Sequence, residues 1–548
     1  MKRLLAVIIS FTMLLGLAAC NIGNVSTDEI DVPSRRDARR AAEDEYDMDF
    51  VFDDENISSN GSKAKWVFIS EDGTLEVTVT WKAKDPDEFD FDDKVLIEPT
   101  VMTETTYEEP ATTTTYSDPY DDPYYDEGFQ MEIGSGPEII NLWSYSDDLP
   151  AIVMRYVTYY PEFGEKYTVR CTEYETYGGE YQLQLDRALV AGGDNAPDIY
   201  AVESDFAAKY TQGDMSVFAA RYEDLGIDVD LMIPAADIAQ YIVDVGTRDG
   251  DVVALSYQAT GGAMIYRASI AEEVFGTSDP DEISAIVGGG SGSWDRFLEA
   301  AETLNDYGYS IVSGVQDIWQ ACETSNADPW VLDGYNVYVA PEREAYLDVG
   351  KILYDEGYTN GTNCWYAEWY ADMTDSNVFC YLGPAWFLNY IMMGNCGGYS
   401  YGEGSFGDWR ICVPPVGFFW GGSWIIANKE TDMAEGVAEL IEWITLDTSD
   451  TGLQYLWAND MMSMGACDSV ASGVVMDNSY YDCSFLGGQD MFSVYRACND
   501  LATGKGVCQY DFDASVFFQS EADSYINGDI DRNGALQAFY DYMYEDVI

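Results

Sequence analysis

The stretch from residue 137 to 204 limits the fold of this chain more than any other. "PEIINLWSY" reads as a strand, "LPAIVMRYVTYYPEFGEKY" as a helix, and "YTVRCTEY" as a second strand. "EYQLQLDRALVAGGD" is a second helix, closed by Gly192-Gly193, and "APDIYAVES" is a third strand. Alternation at this spacing predicts parallel strands joined by right-handed crossovers, hence an α/β fold. Ligands of such sheets sit beyond the carboxyl ends of the strands. Those ends are Trp143-Ser144-Tyr145, Glu173-Tyr174 and Glu203-Ser204-Asp205.

The chain has 548 residues, too many for one core, so more than one compact unit is expected. Its formal charge is −71 and it contains no His. Such a polyanion repels nucleic acid and anionic headgroups, so no nucleic-acid partner is expected. Without imidazole there is no Ser-His triad and no His metal ligand. No CxxC occurs, which argues against zinc, and no cofactor is expected. Asp529-Ile530-Asp531-Arg532-Asn533-Gly534 matches the first half of a calcium loop, but Tyr540 stands where the bidentate Glu belongs. Asn533 as a helix N-cap explains the run more simply.

Met1-Lys2-Arg3 followed by uncharged Leu4 to Ala19 reads as a secretory signal, too short for a spanning helix of about 20 residues. It ends in Leu17-Ala18-Ala19-Cys20, which resembles a bacterial lipobox; cleavage there leaves Cys20 as a lipid-modified N-terminus, so residues 1–20 form a lipoprotein signal peptide. Several acyl chains hold a membrane firmly where one does not. Residues 21–136 read as an acidic low-complexity tether, with a possible hairpin at 65–82 around Glu71-Asp72-Gly73. Cys364, Cys380, Cys396 and Cys412 recur every 16 residues without a flanking repeat, which points to coincidence. Export permits disulfides, but spacing does not give their pairing.

From residue 137 onward the chain resembles the extracellular solute-binding proteins of carbohydrate ABC importers, of the lipoprotein type common in Gram-positive gut bacteria. The resemblance rests on an ordered set. It runs through "INLWSYSDDLP", "APDIYAVESDFAAKY", "ALSYQATGGAMIYRASIAEEVFGTSDPDE", "SWDRFLEAAETL", "FCYLGPAWFLNYIM", "GDWRICVPPVGFFWGGSWIIANKETD" and "YINGDIDRNGALQAFYDYM". It covers about three quarters of the chain. It implies a two-lobed periplasmic-binding-protein-like fold over 137–548, with discontinuous lobes, a hinge and an interlobe cleft. The chain would cross between lobes near 251–267 and 416–428. The implied partners are a carbohydrate, the permease subunits and the membrane through Cys20, and a monomer is expected.

On that expectation "FFWGGSW" lies at a crossing, where Gly421 and Gly422 let the backbone bend and Trp420 and Trp424 face the ligand. A flat ring covers the C–H face of a sugar, while carboxylates and amides bond its hydroxyl rim. Trp386 in "GPAWF" is a second stacking candidate. Glu203 and Asp205 are placed to bond hydroxyls, and Asp205 is equally suited to capping the next helix. Tyr257 and Gln258 lie at the first crossing, and Trp143, Ser144 and Asp148 at the first strand's end; Trp319 and Trp330 are secondary candidates. Core packing is the rival role for every one of these indoles. Two other functions stay open: a secreted glycosidase built on two carboxylates, and a surface adhesin that holds glycan without transport. A third keeps the fold but binds a peptide or polyamine.

Overall fold

The computed structural model describes residues 50–57, 63–70, 75–82, 89–95 and 129–548, apart from 177–178, 194–195, 376, 460–468 and 481. Cys20 lies outside the described residues. Residues 19–125 and 126–548 form separate compact units.

The first unit holds a four-stranded antiparallel sheet of β1 (Phe50–Ile57), β2 (Lys63–Ser70), β3 (Leu75–Lys82) and β4 (Phe89–Val95), paired in sequence order. The hairpin expected at 65–82 is β2–β3. β1 and β4 extend it on either side, within the stretch read from sequence as a tether. Register sets Trp66, Val79 and Phe91 in one row, and Val77 and Val79 are fully buried. Three or more strands with one apolar face are what a small sheet needs for stability.

The second unit starts earlier than its sequence suggests. β5 (Phe129–Gly134) runs antiparallel along β7 (Tyr167–Glu173), and β6 (Glu138–Ser144) pairs in parallel with both β7 and β8 (Ile199–Glu203). Helices α1 (Asp148–Tyr159) and α2 (Glu180–Ala191) make the crossovers, and α3 (Ser204–Thr211) follows β8. β6 and β8 are buried on both faces, as central strands between helix layers must be. β9 (Ala254–Ser256) forms the far edge of this sheet.

The chain then crosses to a smaller sheet centred on β10 (Ala263–Arg267). Its side chains alternate strictly: Met264 and Tyr266 enter one apolar core, Ala263 and Ile265 the other. The Met264 side is covered by α4 (Trp319–Glu323) and α5 (Pro341–Asp355). α6 (Ala367–Asp375) packs on the opposite side through Trp369 and Met373. β11 (Cys380–Gly383) and β12 (Trp409–Cys412) pair antiparallel to β10 on either side. The chain returns as β13 (Ser423–Ala427), which inserts between β9 and β8. After α7 (Phe492–Leu501) it crosses a third time, through 502–510, to α8 (Asp511–Asn527) and α9 (Arg532–Tyr542). α8 packs on α5, so the C-terminal helices complete the second lobe. The helix after the calcium-like run is capped by Asp531, which accepts from the Gly534 amide at 2.8 Å, rather than by Asn533. Among the described residues, Cys171, Cys322, Cys364, Cys380, Cys396, Cys412, Cys498 and Cys508 are free.

β5 contributes the nearly buried Ile133 and covers the edge of β7. Residues 126–548 are therefore expected to unfold cooperatively on their own. A fragment starting at 137 should unfold earlier in denaturant, because it loses that edge and about 1.5–3 kcal/mol of apolar burial. Equal midpoints for the two fragments would show that β5 adds nothing.

Candidate functional site

Three backbone segments meet where the lobes join. The Gly262 amide donates to Phe418 O at 3.0 Å and the Trp420 amide to Thr260 O at 3.1 Å, so the first two crossings run side by side. The Gly261 amide donates to Asn499 Oδ1 at 2.9 Å, which ties in α7 ahead of the third crossing. Gly261 and Gly262 are not there for flexibility. A Cβ at Gly262 would stand 2.0 Å from the Phe418 ring, and one at Gly261 2.4 Å from Asn499 Oδ1. Gly421 and Gly422 differ: their φ angles of +74° and +109° favour glycine outright.

Trp420 leaves this junction half-buried. Its ring meets Trp386 at 4.9 Å, Phe387 at 5.5 Å and Trp365 at 5.9 Å between centroids. Trp386 Nε1 donates to Trp420 O at 2.9 Å. Trp386 opens a π-helical turn, Phe387–Met392, a rare geometry that clusters at functional sites. Among the described half-buried apolar side chains, Trp420 alone packs against both cores.

Trp365 is the residue that sequence reasoning missed. Its φ is +72°, and the other non-glycine residues with positive φ among those described are all Asp, which tolerates that region. An indole held there costs on the order of 1–3 kcal/mol, and such strain gathers at ligand clamps. A buried network holds the loop. The Cys364 amide donates to Gln316 Oε1 at 3.1 Å, Trp369 Nε1 donates to Asp317 Oδ1 at 2.7 Å, and the Gly314 amide donates to Asp317 Oδ2 at 2.8 Å. Burial pushes the Asp317 carboxyl up to about 6, against those donated bonds. The available signal was an indole inside the polar run "TNGTNCW", where no periodic apolar face asks for it.

The first lobe faces these rings with polar groups. Glu203 caps α3, accepting from the Asp205 amide at 2.8 Å and from Ser204 Oγ at 2.8 Å. The cap is thus Glu203 and not Asp205, because the Glu203 side chain folds back on the first helical turn. A Cβ on Gly421 would lie 3.3 Å from Trp386 Nε1 and 3.6 Å from Glu203 Oε1, so this carboxyl and that indole flank the same turn. Burial, then the neighbouring Asp205, raises Glu203 well above the usual carboxylate range. Tyr145, in the strand-end triplet, hydrogen-bonds Ser423; burial raises its hydroxyl, with Tyr257, Glu203 and Asp148 nearby. Behind them lies a cavity of about 40 Å³ lined by Asp205, Gln320, Glu323, Thr324, Arg343 and Asp511, among others.

Among the expected residues, Glu203, Asp205, Trp386 and Trp420 therefore converge, with Asp148 close to Tyr145. Others turn inward. Trp424 is fully buried and donates from Nε1 to Ile242 O at 3.1 Å, because its position in β13 points it under the sheet. Trp143 packs on Tyr174 at 5.1 Å. Tyr257 is 1% exposed, against Trp457 at 5.6 Å. Ser144 is buried and accepts from the Ser146 amide at 3.3 Å. Gln258 stays half-buried, and its backbone bridges to Val470. Trp319 and Trp330 belong to the second lobe's core.

A family model described as bacterial extracellular solute-binding protein matches residues 157–474. Among solved structures, an extracellular solute-binding protein of family 1 aligns with TM-score 0.59 at 14% identity, over 74% of this chain and 98% of its own. The galacto-N-biose/lacto-N-biose I-binding protein of an ABC transporter from Bifidobacterium longum, in complex with lacto-N-biose, aligns with TM-score 0.55 at 15% identity, over 75% and 98%. An ABC-transporter-associated binding protein from B. animalis subsp. lactis Bl-04, in complex with β-1,6-galactobiose, gives 0.51 at 20%, over 74% and 96%. No curated protein matches the chain. These likenesses show the same two-lobed fold. The family model spans more than half of the sequence, and the chain belongs to the bacterial extracellular solute-binding proteins.

Proposed function

We propose that this protein binds a carbohydrate between its two lobes and hands it to the membrane subunits of an ABC importer, without making or breaking a bond. The observation that carries this reading is the convergence of Trp365, Trp386 and Trp420 at the lobe junction, facing Glu203. Indole faces suit the C–H face of a sugar ring, and the Tyr145, Glu203 and Asp205 groups suit its hydroxyls. The sugars named for the two bifidobacterial neighbours support the same class of ligand. Ligand shifts the population toward the closed state because both lobes touch it. The protein acts as a monomer held at the outer face of the cell membrane through Cys20, and the acidic segment gives the binding unit reach.

A thermal-shift screen against oligosaccharides identifies the ligand, since a sugar that binds only the folded state raises its melting temperature. Incubation with the same sugars separates binding from hydrolysis: the glycosidase alternative requires products, and none is expected.

With that ligand, Trp420→Ala is expected to lower calorimetric affinity about tenfold or more, since about 1.4 kcal/mol is one decade. Trp424→Ala is expected to do the reverse, sparing affinity per folded molecule while costing about 3–5 kcal/mol of stability in denaturant. Normal affinity in Trp420→Ala would remove the indole from the site. Separately, Cys20→Ser is expected to release the protein from the membrane fraction, and unchanged retention would defeat the anchor.

A further inference from the structure

The cavity behind the aromatic cluster is built from parts of both lobes. Asp205 comes from α3 of the first lobe, Glu323 from α4 of the second, and Asp511 from the start of α8, just past the third crossing. α3 packs directly on α8 across the junction. The Asp214 amide, just beyond α3, donates to Gln509 Oε1 at 2.8 Å in the crossing itself.

The cation on the cavity wall is Arg343, and its guanidinium is committed elsewhere. Nη1 donates to Asp328 O at 2.8 Å, Nη2 donates to Gly506 O at 3.1 Å, and the group lies 4.0 Å over the Trp330 ring. Arg343 Nε and Trp330 Nε1 are buried without a partner. Three carboxyls thus line one cavity with a single guanidinium, Glu323 buried and Asp205 and Asp511 half-buried. Were all three ionised, two negative charges would lack compensation, and an uncompensated buried charge is strongly unfavourable.

We propose that Asp205, Glu323 and Asp511 form a proton-binding site whose occupancy favours the closed arrangement of the two lobes. Separating the lobes takes Asp205 away from the other two carboxyls and admits water to all three. The open state then releases protons that the closed state holds. The inference rests on the lobe motion proposed above and not on the nature of the ligand.

Burial is the main cause of every shift in the cluster. It pushes Glu323 up to about 8, Asp511 to about 7 and Asp205 to about 6. Asp205 raises both Glu323 and Asp511, while Arg343 lowers them. The other groups facing the cluster are Glu203 beside Asp205, the Cys508 thiol, which donates to Asp511 Oδ1 at 3.2 Å, the Ser515 hydroxyl on Glu323, and Glu342 beside Arg343. The sign follows from the direction. A carboxyl raised in the closed state favours closure fully below its solvated pKa, and that preference is lost as pH rises through the raised value. The window therefore runs from the ordinary carboxylate range up to about 8. Each proton taken up on closing changes the closed-to-open ratio by about tenfold per pH unit inside it.

Hydrogen exchange of the full chain, read by mass spectrometry without ligand, tests this. Wild type is compared with Glu323→Gln at about pH 6 and about pH 8.5, so that intrinsic exchange cancels at each pH. At the lower pH, already inside the window, wild type should exchange faster than the variant by the smaller factor. Toward the higher pH that factor should grow about tenfold per pH unit up to about pH 8 in residues 203–211, 319–323 and 505–511, while β10 and β13 exchange equally in both. Asp511→Asn gives the same comparison if Glu323→Gln fails to fold. A ratio independent of pH, or a difference spread equally into β10 and β13, overturns the proposal. The outcome stands whether or not any sugar binds, so it is separable from failure of the carbohydrate reading.

Discussion

The molecule depends on the pairing of two backbone strands at the lobe junction. Gly262 to Phe418 and Trp420 to Thr260 are ordinary hydrogen bonds, but they fix the two crossings in register. The pairing requires residues without side chains at 261 and 262, because Phe418 and Asn499 occupy the space where a Cβ would sit. Once the register is fixed, the rest follows in sequence. Phe418 enters the second lobe's core, Phe419 stacks on Tyr241 of the first at 5.0 Å, and Trp420 is delivered between them. The left-handed turn at Gly421-Gly422 then starts β13, which closes the gap between β8 and β9. One short segment therefore joins two sheets, supplies a side chain to each core and places an indole at the junction.

That placement explains the division of labour among the aromatic residues. Indoles on regular strands and helices, such as Trp424, Trp369 and Trp409, are consumed by the cores. The half-buried indoles of the junction, Trp365, Trp386 and Trp420, stand on a strained loop, at a π-turn and at a crossing. Irregular backbone is what frees a large ring from its own core, and its cost must be met by neighbours. The Asp317 network does this for Trp365: a buried carboxyl with its pKa raised still accepts from an indole and an amide that would otherwise lack partners.

The sequence revealed the parts of the fold that depend on local periodicity. The alternation from 137 to 203 gave the parallel strands, and the family resemblance implied both early crossings, near 251–267 and 416–428. Trp386, Trp420, Glu203 and Asp205 were legible because each sits at the end of a strand or at a crossing. The remainder turned on tertiary choices. Trp424 is four residues from Trp420, yet the turn between them sends one ring to the junction and the other under the sheet, which composition does not reveal. β5 was hidden because an edge strand of six residues adjoining an acidic linker has little pattern of its own. The third crossing was hidden because Thr503-Gly504-Lys505-Gly506 resembles any helix–helix loop until α8 is seen to pack on the other lobe. Trp365 was hidden because its role arises from a backbone angle.

The excess acidity of the chain and the acidity of its junction are different matters. The formal charge of −71 comes from 98 acidic against 27 basic residues, and repulsion between solvated charges is screened by water and salt. At the junction, Glu323 is buried and Glu203, Asp205 and Asp511 are half-buried, and all are shifted toward the neutral acid. A neutral carboxyl both donates and accepts, which matches a hydroxyl far better than it matches a cation. A cationic ligand such as a polyamine would draw its binding energy from ionised carboxylates, and the junction resists forming them. The net charge of the protein therefore says little about its ligand, whereas the upward shift of four particular carboxyls favours an uncharged, hydroxyl-bearing one.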